Sequence, residues 1–358
     1  MGLKILHTAD WHLDSPFARF SPGQQEFLIR EQRRIPGKIA ELVRKESCDL
    51  VLISGDIFDG TASRESVDIV RDALKACGVP VVITPGNHDY ITTGSPWLEE
   101  KWPENVHIFT GGLTSMVFPE LNCRIYGAGY RSPECPALLE NFKKEGPERY
   151  HVAVLHADPM RLNSPYCPIT GAQIRDSGLS YLALGHIHKG GFVRTPKTLC
   201  GWPGSPMGRG YDETREKGVY IVTLEDRAEL RPVALDAPRF YEIEVDTDTQ
   251  ALEDVLPPAD NDHFYRVTLT GSGGEPLWRL KEDYRGMPNL EWIDNRTEKT
   301  DLWQRTGEDT LEGTYFRLLR EKLEQAAGDR EDLTEEARKI WRAAEISRRI
   351  LEGREVVL

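Results

Sequence analysis

Residues 79–89 read Val79-Pro80-Val81-Val82-Ile83-Thr84-Pro85-Gly86-Asn87-His88-Asp89. The run from Val79 to Ile83 has the length and β-branching of a buried strand, and Pro85-Gly86 turns the chain sharply. An amide, an imidazole and a carboxylate therefore sit together just past a strand's carboxyl end, where open α/β sheets bind ligands. Taken alone, the tetrapeptide also reads as a polar turn, with Asn87 and Asp89 bonding their own backbone. Four other strand ends carrying similar clusters decide between the two.

Upstream, residues 3–8 read as a first strand ending in Ala9-Asp10-Trp11-His12, and residues 50–53 as a second opening onto Ser54-Gly55-Asp56. Phe27, Ile35, Ile39, Leu42 and Val43 recur at helical spacing over about residues 24–45. Val67, Val70, Leu74 and Cys77 do the same over residues 66–76. Strand, helix, strand, helix, strand is the pattern of βαβ units. Downstream, shorter strands are expected at 106–109, 114–118 and 124–126, and a short helix at 133–144. Residues 151–155 form a strong strand ending in His156, and residues 181–184 another ending in Gly185-His186-Ile187-His188. Strands at 219–224 and 230–234 close the first domain.

Beyond this, residues 240–270 alternate again and read as a small α+β unit. Asp309-x-x-Glu312 reads as a capping pair for a helix carrying Leu311, Tyr315, Leu318, Leu319 and Leu323, stopped by Gly328. Leu333, Ala337, Ile340, Trp341, Ala344 and Leu351 mark a second amphipathic helix ending at Gly353. The domains expected are 1–238, 239–300 and 301–358, with no internal repeat.

The chain has 358 residues, 39% of them hydrophobic, and a formal net charge of −13. No apolar run approaches the roughly 20 residues of a membrane span. The start flows into a strand without signal-peptide organisation. Six scattered cysteines, none in a Cys-x-x-Cys pair, suit reduced thiols in a cytoplasmic protein. Most of the acidic excess falls after residue 240. The charge therefore does not exclude a polyanionic substrate on the first domain, but it argues against the tail as a DNA-binding arm.

Five clusters now stand in order: Asp10-x-His12, Gly55-Asp56, Gly86-Asn87-His88-Asp89, His156 and Gly185-His186-x-His188. Carboxylate, amide and imidazole without thiolate suit Mn²⁺, Fe²⁺ or Zn²⁺ better than Mg²⁺ or Ca²⁺. Seven ligands are too many for one ion, whereas two ions about 3.5–4 Å apart bridged by a carboxylate would use them all. Singly, each cluster has a plain reading as a turn or a satisfied strand-end histidine. All five in order, each past a strand, favour function.

This order resembles the calcineurin-like metallophosphoesterase superfamily. The segments Ile5-Leu6-His7-Thr8-Ala9-Asp10-Trp11-His12-Leu13 and Gly55-Asp56-Ile57-Phe58-Asp59 resemble bacterial DNA-repair exonucleases of the SbcD and YhaO type, and Asp14-Ser15-Pro16-Phe17 leans toward the YhaO branch. The resemblance rests on motifs within residues 5–188; from about residue 240 it is architectural only. It implies an α/β fold, a two-sheet metallophosphoesterase sandwich flanked by helices, with a small α+β capping domain and a helical tail. It implies one metal held by Asp10, His12, Asp56 and His188, and another by Asp56, Asn87, His156 and His186, with Mn²⁺ favoured. His88 would stabilise or protonate the leaving oxygen, and Asp89 could orient it.

Other residues carry plainer expectations. His7 reads as packing or as a support behind the ligand residues, and Asp59 and Asp14 as loop-stabilising carboxylates. Gly204-Ser205-Pro206 shapes the pocket. His107, His151 and His263 have surface or core roles. The basic group between Arg30 and Lys38 reads as a solvated helix face ahead of a phosphate-contacting one.

The leading functional reading is a two-metal DNA phosphodiesterase of double-strand-break repair, in which a metal-activated water attacks phosphorus. The alternative keeps the site but acts on a small-molecule or cyclic nucleotide phosphate ester. A non-catalytic scaffold would show broken ligands, and none is broken. The resemblance also implies an SMC-like coiled-coil ATPase partner of the SbcC or YhaN type docking on the C-terminal helices, and a homodimer.

Overall fold

The computed structural model describes residues 2–159, 161, 163–214, 216–258, 261–272, 277–297, 303–327 and 334–351. Its elements run β1 (Leu3–Thr8), α1 (Pro22–Glu46), β2 (Leu50–Ile53), α2 (Arg64–Ala76), β3 (Val81–Ile83), α3 (Pro96–Glu99), β4 (Val106–Ile108), β5 (Thr114–Phe118) and β6 (Cys123–Gly127). Then come β7 (Tyr150–His156), α4 (Gly171–Asp176), β8 (Tyr181–Gly185), β9 (Lys189–Arg194), β10 (Leu199–Gly204), β11 (Gly218–Leu224) and β12 (Ala228–Ala234). The chain continues through β13 (Phe240–Asp246), α5 (Leu252–Val255), β14 (Phe264–Thr270), α6 (Leu277–Asp283), β15 (Leu290–Asp294), α7 (Leu311–Ala327) and α8 (Glu335–Leu351).

Two six-stranded sheets form the body, ordered β12-β11-β1-β2-β3-β4 and β5-β6-β7-β8-β10-β9. The period of two along each strand explains the layering. Leu3 and Ile5 of β1, Leu50 and Leu52 of β2, and Val82 of β3 pack with Val152 and Val154 of β7 and Tyr181 and Ala183 of β8 in one core between the sheets. Their neighbours Leu6, Val51, Ile53, Val81 and Ile83 face α1 and α2, meeting Ile35, Ile39, Val43, Val67, Val70 and Leu74. On the far side Leu155, Leu182 and Leu184 pack on Ile169 and Ile174. Both faces of each central strand are covered, which is why these strands are continuous apolar runs rather than alternating ones.

β1, β2, β3 and β4 are mutually parallel, as are β6, β7 and β8. The ends of β1, β2, β3, β7 and β8 that carry the polar clusters are therefore all carboxyl ends. The two sheets nearly touch there. A Cβ on Gly185 would lie 2.0 Å from the Ser54 carbonyl oxygen, so only glycine lets β8 reach β2 so closely.

A third sheet has the order β13-β14-β15. The chain divides into two compact units, residues 1–243 with 256–268 and 282–293, and residues 244–255 with 269–281 and 294–358. Within the second unit, Phe316 of α7 and Ala344 of α8 are buried together, with Trp303 and Leu319 against them.

Three local expectations change. The helix expected at 133–144 is absent. Pro133 and Pro136 interrupt that stretch, and Cys135 instead makes a backbone bridge: its N–H donates to the Pro165 carbonyl (2.9 Å) and its carbonyl accepts from Cys167 N–H (2.7 Å). Strands β9 and β10 had no expected counterpart, because Gly190, Gly191, Gly201 and Gly204 mask the strand pattern. At the start of α7 the cap is Thr310, whose hydroxyl accepts from Gly313 N–H at 3.0 Å, and Glu312 pairs with Arg305. The expected stops Gly328 and Gly353, and Leu333, lie outside the described residues.

The Gly185 approach is testable. Gly185→Ala is expected to cost about 1–3 kcal/mol in urea unfolding, the usual scale of overpacking. Gly111→Ala, where a Cβ meets nothing within 4 Å, is expected to stay within about 0.5 kcal/mol.

Candidate metal centre

The loops after β1 and β2 run side by side as an extension of the sheet. Asp10 N–H donates to the Gly55 carbonyl (3.0 Å), His12 N–H to the Asp56 carbonyl (3.0 Å) and Leu13 N–H to the Ile57 carbonyl (2.9 Å). Gln32 of α1 clamps the first loop from outside, donating to the His12 carbonyl at 2.7 Å. Asp10, His12, Asp56 and His186 all have positive φ, between 48° and 88°. Non-glycine residues held there cost on the order of 1–3 kcal/mol each, a strain that accumulates at functional sites. Gly86 makes room for the cluster, since a Cβ on it would sit 2.2 Å from Asp56 Oδ1 and 2.8 Å from His156 Nδ1.

All eight residues singled out for chemistry converge here. Asp10, His12, Asp56 and His156 are fully buried. Asp10 accepts from His186 N–H at 3.0 Å, and Asp56 accepts from His88 N–H at 2.9 Å, so each carboxylate ties its loop to another. His156 Nδ1 donates to the Ser54 carbonyl at 2.8 Å. Its Nε2 faces Asn87 Oδ1 at 2.8 Å and Asp56 Oδ2 at 3.3 Å. The Asn87 oxygen also meets His186 Nδ1 at 3.1 Å. His12 and His188 bring their Nε2 atoms to 3.0 Å.

Three overlapping donor sets result. Asp10, His12 and His188 each present a donor atom within 4.8 Å of the others, and so do Asp10, Asp56 and His156. His12, Asp56 and His88 form a further such group. This chemistry fits divalent cations. Buried carboxylates need positive charge, and the imidazole nitrogens that crowd one another and Asn87 need a shared acceptor of lone pairs in place of protons. Burial opposes charge on Asp56, but His156, His12 and His88 outweigh it and hold the carboxyl below the usual carboxylate range. Burial also opposes charge on His156, yet Asp56 and Asp10 raise it to about 9, so without a cation a proton fills the same place. Burial and the His156 charge drop His186 to about 3.

His88 is the exposed member, its side chain 42% accessible. Its Nδ1 lies 2.7 Å from Asp59 Oδ1, while Ser15 Oγ donates to Asp59 Oδ2 at 2.6 Å. Asp59, and not Asp89, is therefore the carboxylate that orients His88. Asp89 is a loop staple, accepting from the N–H groups of Gly86 (2.7 Å), Ile57 (2.8 Å) and Phe58 (3.3 Å). Of the two roles open to Asp89 in the sequence, orienting His88 or serving as a turn carboxylate, the structure shows the second: its side chain turns back into the buried loop. Burial and the Asp56 charge push Asp89 up to about 7.

The remaining expectations resolve as packing. His7 is buried between Tyr181 OH (2.7 Å) and Ser54 Oγ (2.8 Å). Asp14 accepts from Ser63 N–H and from the Ser63 and Ser66 hydroxyls at the start of α2. Arg33, Arg34 and Lys38 pair with Asp14, Glu65 and Glu31. Ser205 does touch the site, through Glu213, whose other oxygen meets His188 Nδ1 at 2.8 Å. Nothing in the sequence singled out Glu213 or Arg209, because they lie on a loop that no strand motif marks.

Residues 3–190 match the profile of calcineurin-like phosphoesterases, and all the residues above from Asp10 to His188 fall inside that match. The chain belongs to the calcineurin-like phosphoesterase family. YhaO of Bacillus subtilis, named an uncharacterized metallophosphoesterase, is 31% identical over 237 residues, 62% of this chain and 57% of YhaO. The SbcD component of the SbcCD nuclease of Staphylococcus epidermidis is 21% identical over 374 residues, 92% of this chain and 96% of that one. A dimetal phosphatase from Danio rerio superposes with a TM-score of 0.44 at 15% identity, over 65% of this chain and 96% of its own. Among the described residues no helix is long and apolar enough to cross a membrane.

The Asp59 contact predicts a titration. Its carboxylate favours the imidazolium of His88 and raises its pKa from the ordinary histidine value. In chelator-treated protein, Asp59→Asn should move the NMR midpoint of His88 to lower pH, because the charged form loses its acceptor. Asp89→Asn should leave it in place. Equal shifts in both variants would reject the assignment.

Proposed function

We propose that this chain is a two-metal phosphodiesterase acting on DNA, a nuclease of double-strand-break repair. The placement of His88 carries the reading: an exposed imidazole, held by Asp59, stands beside a buried donor cluster. The nuclease assignment draws on the SbcD component of SbcCD, which aligns far past residue 190 into the C-terminal region.

In this reading Asp10, His12, Asp56 and His188 would hold one divalent ion, and Asp56, Asn87, His156 and His186 would hold the other, the two sets sharing Asp56. When bound, the ions neutralise phosphoryl oxygens and supply a nucleophile from water; Mn²⁺ suits the mixed oxygen and nitrogen donors. The protein's own groups do the rest. Ser54 keeps the His156 proton on Nδ1, which aims Nε2 into the site. His88 keeps a proton on Nδ1 against Asp59, so its Nε2 can deliver a second proton to the departing oxygen when the ring is charged. DNA binding rests on phosphate contacts and weakens with salt. The site works in the cytoplasm with a coiled-coil ATPase of the SbcC type docked on the C-terminal helices, and pairs with a second copy.

End-labelled single- and double-stranded DNA incubated with the purified chain and Mn²⁺ tests this. Degradation is expected, and it should fall by at least about 10²-fold in His88→Ala, the scale of general acid catalysis. Asp56→Asn should abolish it and lower Mn²⁺ binding. Hydrolysis of bis(p-nitrophenyl) phosphate with DNA untouched, with or without the ATPase, would move the substrate to small phosphate esters.

A further inference from the structure

We infer that Glu213 is the positioning residue of His188, and that it holds the ring in its metal-binding tautomer against a competing contact from Arg209. This deepens, and rests on, the two-ion reading of the site.

Glu213 lies on the loop between β10 and β11, 25 residues from His188 in sequence. It is buried, and its two oxygens have separate tasks. Oε1 faces His188 Nδ1 at 2.8 Å, and Oε2 accepts from Ser205 Oγ at 2.8 Å. Lys217 Nζ closes the unit from behind, 3.4 Å from Oε2, 3.0 Å from Ser205 Oγ and 2.9 Å from the His188 carbonyl. Arg209 Nε stands 3.3 Å from Oε1. Two cations and a hydroxyl thus hold a buried carboxylate in one orientation.

A carboxylate can only accept, so His188 Nδ1 must carry the proton. The lone pair then sits on Nε2, the atom 3.0 Å from His12 Nε2 and pointing at the donor cluster. Arg209 Nη2 also lies 3.0 Å from His188 Nδ1. A guanidinium can only donate, so its hydrogen bond to Nδ1 would require the opposite tautomer, with the proton on Nε2. That ring could not bind a cation through Nε2. Glu213 decides between the two by occupying Nδ1 and by pairing with Arg209. Arg209 Nη1 is also 3.8 Å from Asp59, which helps draw the guanidinium toward carboxylates.

The experiment has two readouts. In chelator-treated protein, ¹⁵N NMR of histidine-labelled samples should show His188 as the Nδ1–H tautomer. Glu213→Ala should convert it to Nε2–H, and Arg209→Ala added to Glu213→Ala should release it to a mixture. Calorimetric titration with Mn²⁺ should show two ions in the wild type. Glu213→Ala should weaken one of them by about 10–100-fold, the usual effect of removing such a partner. Glu213→Gln, which can still accept from Nδ1, should restore most of that loss, and the double variant part of it. Wild-type tautomer and affinity in Glu213→Ala would overturn the proposal, as would an Nε2–H tautomer in the wild type. A wild type that shows the Nδ1–H tautomer but binds no Mn²⁺ would overturn the two-ion reading and leave Glu213 as a positioning residue for a metal-free imidazole only. Thermal melting of each variant separates these effects from unfolding.

Discussion

The carbonyl of Ser54 is the joint on which the site depends. Ser54 follows β2, its N–H donates to the Thr8 carbonyl of β1 at 3.0 Å, and its carbonyl oxygen accepts from His156 Nδ1–H at 2.8 Å. Gly185 at the end of β8 closes on the same oxygen. The two sheets, which share a core along their facing sides, are thereby held close together at their carboxyl ends. Asp56 from one sheet and His156 from the other lie 3.3 Å apart beside it.

Such closeness has an electrostatic cost. Asp10, Asp56 and His156 have almost no contact with solvent, and buried charge is stable only when paired and hydrogen-bonded. The structure meets that requirement by interlocking loops. Backbone N–H groups of His186 and His88 donate to Asp10 and Asp56, and the left-handed backbone at Asp10, His12 and Asp56 turns these groups inward. The strain is sustained by the cores on either side, where every central strand is packed on both faces. His88 is the most exposed imidazole of the site, while His12 and His156 are buried and His186 and His188 half-buried, and that places it where it could meet substrate.

The carboxylates that orient imidazoles show a limit of reading along the chain. Asp89 is next to His88 and read equally as its orienting partner or as a turn carboxylate; it is the latter, and Asp59 meets His88. Residues three or fewer apart at a tight turn share a backbone path, and the turn sends the Asp89 side chain back toward Gly86 and Ile57. Glu213 is further still from any motif. Its role follows from where β10 and β11 deliver their connecting loop, which local spacing does not encode. The stretch around Cys135 shows the same limit: its helical spacing gave way to a bridge with Tyr166 that lies 31 residues downstream.

The sequence by itself determined the strands of the body, because continuous β-branched runs bounded by Gly and Pro have few other stable forms. It also marked which residues meet at the donor cluster, because Asp10, His12, Asp56, Asn87, His88, His156, His186 and His188 each follow such a run directly. Only the tertiary structure decided how those residues are supported. Asp59 on His88, Ser54 on His156 and Glu213 on His188 are contacts between segments 25 to 102 residues apart. A hydrogen bond across that distance depends on sheet order and loop path, which are properties of the packed whole.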